Sequence, residues 1–169
     1  MSPQFKSSFL AIILAFLPTF TSATDLEYEC FRVTVPFAPK TDMNGGALWV
    51  TNTNSPNAMS PLIVIVAFCG TANESEAGKM RAREKFINDE KAIKTLCIDS
   101  LDQRTIQHRS NYTEWRSACT QSGQGKPAYV AGSFIELNGN AMTIGYADDA
   151  PRKEAEVRFE TILESLKSR

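Results

Sequence analysis

Cys69 is the residue of this chain whose setting most suggests reactivity. It follows the apolar run Leu62 to Phe68 and precedes a helical pattern, and a helix dipole at such a junction can lower a thiol pKa and expose a nucleophile. The only imidazole that could serve it as a base is His108. Nothing in the spacing brings the two together, and the chain has four cysteines, Cys30, Cys69, Cys97 and Cys119, an even number suited to an oxidising compartment where disulfides persist. Three pairings are possible. A hairpin around Ser110 and Asn111 would fold the segments holding Cys97 and Cys119 toward each other, which leaves Cys30 with Cys69. Zinc is the competing use of these thiols, but it wants closely spaced Cys or His pairs, and here the cysteines are far apart with His108 alone beside them.

Other chemistry is weaker still. Gly78-Lys79 after an apolar strand hints at a phosphate loop, yet seven residues separate Gly70 from Gly78 where that motif has four, and Met80 stands where a Ser or Thr would hold magnesium. Asp42 and Asn44 begin a calcium-loop pattern that no acidic residue completes, so a turn is expected there. Nineteen acidic residues allow close carboxylate pairs, but no spacing marks one for acid and base work. Eighteen Lys and Arg against those nineteen acids give a net charge of −1, which removes the basic field that nucleic-acid binding needs. The expectation is a protein that is not an enzyme and uses no metal or cofactor.

The elements that must position these residues follow from periodicity. Tyr28 to Val35 alternates, with Phe31, Val33 and Val35 on one side, and predicts a half-buried strand ended by Pro36 and Pro39. Asp42 to Gly46 reads as a turn leading to a short strand, Ala47 to Thr51, and the Asn, Ser and Pro of residues 52–61 read as a loop. Leu62 to Phe68 is apolar without alternation, which predicts a central strand covered on both faces. A long amphipathic helix follows, with Met80, Phe86, Ile87 and Ile93 near one face and Lys79, Arg83, Asp89 and Glu90 elsewhere; Glu74 and Glu76 suit its positive end. Leu96 to Ile98 reads as a short strand, and Gln103 to Arg109 with Tyr112 to Cys119 as a hairpin with polar outer faces. Trp49 and Trp115 are expected in the core or against a disulfide, Trp115 sharing a strand face with Cys119. Tyr129 to Leu137 and Ala141 to Tyr146 flank Asn138-Gly139, the dipeptide most favoured in a tight hairpin. Asp148 and Asp149 before Pro151 open a last helix with Ala155, Phe159, Ile162, Leu163 and Leu166 on its apolar face.

Residues 1–23 read as a signal peptide. Lys6 precedes an apolar run of nine residues, Phe9 to Leu17, too short to span a bilayer, and the small residues Thr21-Ser22-Ala23 suit cleavage after Ala23. Residues 24–169 are then one α+β domain, exported to the periplasm or secreted, that meets a membrane only through its leader. Two glycosylation triplets, at Asn73 and Asn111, bear on a eukaryotic source alone.

The order of elements makes a mainly antiparallel sheet with a long central helix and a C-terminal helix, an α/β/α sandwich. In the opening strand ending Val35-Pro36, the strand Leu62 to Phe68 leading into the long helix, and the closing hairpin and helix from Ser133 to Leu166, the chain resembles the PsbP-like fold. That fold is shared by a yeast Ran-GTPase release factor, bacterial DcrB-type envelope proteins, and some type VI secretion chaperones and immunity proteins. The resemblance implies a protein that grips another protein, such as an immunity or inhibitor protein that blocks a secreted effector toxin by loop insertion. The contacts expected are Asn57 in the loop Asn52 to Ser60, Glu74 and Glu76 in the loop Gly70 to Gly78, and an outward-facing strand patch of Tyr112, Glu114 and Arg116, since Tyr and Arg commonly anchor interfaces. The alternatives are a DcrB-like envelope accessory with no toxin partner, or a small thiol or hydrolytic enzyme using Cys69 and His108.

Overall fold

The computed structural model describes residues 23–55, 60–71, 74–109, 112–122 and 127–169. Residues 1–22 of the expected leader, Asn57, and both glycosylation asparagines lie outside them.

Ten strands and two helices run in the order β1 (Thr24–Tyr28), β2 (Phe31–Val35), β3 (Pro39–Asn44), β4 (Ala47–Asn52), β5 (Leu62–Phe68), α1 (Ser75–Leu96), β6 (Asp102–Gln107), β7 (Thr113–Ser122), β8 (Pro127–Leu137), β9 (Asn140–Asp148), α2 (Arg152–Glu164) and β10 (Lys167–Ser168). Seven of the strands form one antiparallel sheet in the order β3-β4-β5-β9-β8-β7-β6, and β1-β2-β10 form a second, small one. The fold is α+β, as its pattern of elements implies.

The sheet divides the interior into two unequal cores. Alternation sends Ile63 and Ile65 of β5, and Met142, Ile144 and Tyr146 of β9, to one face, where they meet β2 and the apolar side of α2. Phe31, Val33, Val35, Ala155, Phe159, Ile162, Leu163 and Leu166 are all buried there, as their periodicity predicts. The core beneath α1 is small: Ala82, Phe86, Phe134 and Ala141, with Phe68 and Trp115 packed against them. This is why α1 sits less deeply than α2.

Several sequence expectations need correction. The alternating stretch Tyr28 to Val35 is two strands, because Glu29 takes a φ of 53° and the chain turns back at Glu29-Cys30. Pro39 opens β3 rather than closing a strand, and the expected turn at Asp42 to Gly46 shrinks to Gly45-Gly46. Leu96 ends α1, and Cys97 contributes only an isolated bridge to Gln121. In α1 the four apolar residues split: Phe86 packs inward and Ile93 is half-buried, whereas Met80 and Ile87 are exposed. The short β10, which pairs with β2, carries no sequence signal.

Asn138-Gly139 turns β8 into β9 with φ of 51° and 81°, the mirror-image turn that the dipeptide favours. Cys97 is bridged to Cys119 and Cys30 to Cys69, each with Cα atoms 5.8 Å apart, the pairs expected from the sequence. One bridge pins the end of α1 to β7; the other ties the β1–β2 turn to the end of β5. Two disulfides suit a protein of an oxidising compartment outside the cytoplasm. Among the described residues no helix is long and apolar enough to cross a membrane.

Candidate functional site

The thiol candidate is spent, since Cys69 is locked to Cys30 and all four cysteines are bridged. His108 is far from idle, however. Its Nε2–H donates to Glu114 Oε2 at 2.6 Å, and its ring stacks on Tyr112 with centroids 4.3 Å apart. Arg116 grips the same carboxylate in bidentate fashion, Nε to Oε1 at 2.6 Å and Nη2 to Oε2 at 2.8 Å, while the Ser133 hydroxyl also donates to Oε1. Arg116 extends to Glu160 of α2 and lies over the Phe159 ring, and the Tyr112 hydroxyl donates to the Leu163 carbonyl. Burial alone would push the Glu114 carboxyl up, but the hydrogen bonds and charge of Arg116, with the Ser133 and His108 donors, hold it below its usual value.

This placement corrects the expected outward patch. Tyr112, Glu114 and Arg116 are buried, at 1%, 0% and 4% exposure, because the polar side of β7 is the side that α2 covers. Their charges neutralise one another inside the fold, so they stitch α2 to the sheet and present nothing to a partner. Strand alternation had suggested a solvent face; the last helix closes it.

The described ends of the two expected loops are not brought together either. One precedes β5 and the other follows it, so a seven-residue strand of about 20 Å separates them. The second loop is also shorter than expected, because α1 already begins at Ser75 and Gly78 lies inside it. Glu74, exposed at the start of that helix, turns its carboxylate back on its own loop to accept from Thr71 N (3.3 Å) and Thr71 Oγ1 (3.2 Å). Glu76 is exposed in the first turn and paired with Lys79 at 2.9 Å.

Two features of α1 stand out instead. The first is its outer stripe. Glu76, Met80, Arg83 and Ile87 recur with helical spacing, and the two apolar members are 71% and 46% exposed. The Arg83 guanidinium lies 5.8 Å from the Trp115 ring and 6.0 Å from that of Phe134, which anchors the charge beside the stripe.

The second is a hollow of about 390 Å³ between the later half of α1 and the sheet. Its floor is one cross-strand row, Trp49, Val64, Gly145 and Gly132, each directly opposite the next. Leu62 and Val66 flank Val64, and Ala92 and Ile93 of α1 form a wall. The two glycines differ in what they admit. A Cβ on Gly132 would stand 3.1 Å from Ile93 Cδ1, so here the helix comes down on the sheet; a Cβ on Gly145 would meet nothing closer than Val64 Cβ at 3.8 Å, so here space remains. Lys85 and Asp89 also line the hollow and satisfy each other at 2.6 Å. The indole Nε1–H of Trp49 is buried and finds no acceptor among the described residues.

The apolar run Leu62 to Phe68 predicts a strand covered on both faces, and this holds for one: Ile63 and Ile65 are sealed, while Leu62, Val64 and Val66 are half-buried beside the hollow. Trp49, expected in the core, sits there too. The sequence does carry a signal for the hollow. Gly132 and Gly145 are equidistant from Asn138-Gly139, so the hairpin turn itself sets them face to face.

The sequence matches no protein-family model, and no curated protein matches it. Solved structures do. A protein of Bacteroides thetaiotaomicron superposes with a TM-score of 0.51 at 16% identity over 83% of this chain and 45% of its own, so this chain spans just under half of that protein's length. The cyanobacterial PsbP of Synechocystis superposes with a TM-score of 0.59 at 9% identity over 88% of this chain and 94% of its own. The Ran-binding protein Mog1p of Saccharomyces cerevisiae gives 0.50 at 7% identity, covering 88% and 96%. At such identities the likeness concerns architecture alone, and it shows that this chain has the PsbP-like fold.

Proposed function

We propose that this chain is an exported binding protein that works by gripping another protein in the periplasm, as an immunity or inhibitor protein does when it covers the working surface of an effector toxin. The observation that carries the reading is the exposed stripe of α1. Met80 and Ile87 offer apolar area that the protein's own core does not use, and Glu76, Arg83 and Lys91 surround them with charge, the arrangement of an interface centre with a polar rim. The disulfide at Cys97 holds the end of this helix to the sheet, so little ordering entropy is lost on docking. Mog1p, which has the same fold, is by its name a binder of another protein.

The test is affinity isolation from the source organism's periplasm, with wild type beside the double variant M80D/I87D. Wild type should retain one partner with a dissociation constant in the nanomolar range, and the variant should lose at least about 30-fold, the loss expected when a buried interface centre is charged. Retention of one partner by both proteins, or of none by wild type, refutes the reading; the second result leaves the DcrB-like role of an envelope accessory without a toxin partner.

A further inference from the structure

We propose that the hollow between α1 and the sheet is a binding site for a small, uncharged, mainly apolar molecule. This site is separate from the outer stripe of α1 and does not depend on the protein-binding reading.

Four observations carry it. At about 390 Å³ the hollow falls within the range of ligand pockets, roughly 300–1,000 Å³. A dry cavity of about 150 Å³ already holds benzene, so this one has room for a molecule two to three times that size. Its surface is mainly Val, Leu, Ala, Ile and indole, with Thr143 and Tyr146 beside them, and the charged residues that line it, Lys85 and Asp89, neutralise each other, so nothing there selects a charged ligand. Glycine in a strand interior weakens a sheet and marks a place that another group approaches closely; at Gly132 that group is Ile93, whereas at Gly145 none is present. Gly145 lacks even the excuse of crowding, since an alanine Cβ there would make only ordinary contacts.

Trp49, opposite Val64 at the end of the row, adds an aromatic ring to the lining. A molecule built mainly of one or two rings suits such a floor.

Titration with the uncharged naphthyl ketone dye Prodan tests this on the folded, disulfide-bonded protein. Wild type should shift the dye's emission to the blue with saturable, one-to-one binding. Gly145→Val, which fills the floor, should weaken binding at least tenfold while leaving the melting temperature equal or higher. Gly145→Ala should fold as wild type does and bind with intermediate affinity. No saturable blue shift with wild type, or equal binding by wild type and both Gly145 variants, overturns the site. A wild-type dimer in sedimentation that Gly145→Val dissociates would mean a second copy fills the hollow, and would overturn the proposal as well.

Discussion

Glu114 shows how one side chain can hold two layers together. It is fully buried, and it accepts from His108, Arg116 and Ser133, while Arg116 continues to Glu160 on α2. An ionised carboxylate survives there because three donor residues, one of them a guanidinium, replace its water. Since its folded pKa lies below the ordinary value of 4.5, its contribution to stability is fully present above that pH and is lost as the pH falls through the lower, folded value. The melting temperature of wild type should therefore fall progressively below about pH 4.5, and Glu114→Gln should flatten that part of the profile. At neutral pH, Glu114→Ala should cost about 3–5 kcal/mol, the penalty for leaving Arg116 buried without its partner. An unchanged acid profile in Glu114→Gln would mean that the cluster is not what ties α2 to the sheet.

At the scale of elements, the β8–β9 hairpin is the piece most strongly specified locally. Asn138 and Gly139 both have positive φ, and the Gly139 carbonyl accepts from the Ser75 hydroxyl at the start of α1, so the turn also seats the helix. Gly139→Ala places a Cβ in a left-handed conformation that costs about 1–2 kcal/mol. Urea unfolding should show that loss as a lower midpoint with an unchanged slope; a change in slope would point instead to altered compactness. The same hairpin sets Gly132 opposite Gly145. One local signal thus shapes both the strongest turn of the fold and the floor of the hollow.

At the scale of the whole molecule, the two cores predict unequal stability. The face under α2 and β2 is filled by large aliphatic and aromatic side chains, whereas α1 rests mainly on Phe86, Ala82 and its disulfide. Hydrogen exchange should accordingly be slowest in β8 and β9 and faster in α1, and reduction of the disulfides should widen the gap by freeing the end of α1. Equal protection of α1 and the central strands in the reduced protein would contradict this layering. The exposed stripe of α1 belongs to the same account, since a helix over a shallow core buries fewer of its apolar residues.

Much of this protein is written locally. Alternation in β2, the periodicity of α2, the Asn-Gly turn and an even set of cysteines each act over a few residues or through the hairpin between them, and the disulfide pairs and the α+β architecture follow. Which faces meet solvent was decided in three dimensions. Tyr112, Glu114 and Arg116 have the pattern of an outward strand face until α2, some forty residues later in the chain, lies across them; Leu62, Val64 and Val66 have the pattern of a sealed core until α1 passes beside them and leaves a hollow. Periodicity says which residues share a face, but the free energy of burial depends on what packs against that face, and that neighbour comes from elsewhere in the chain.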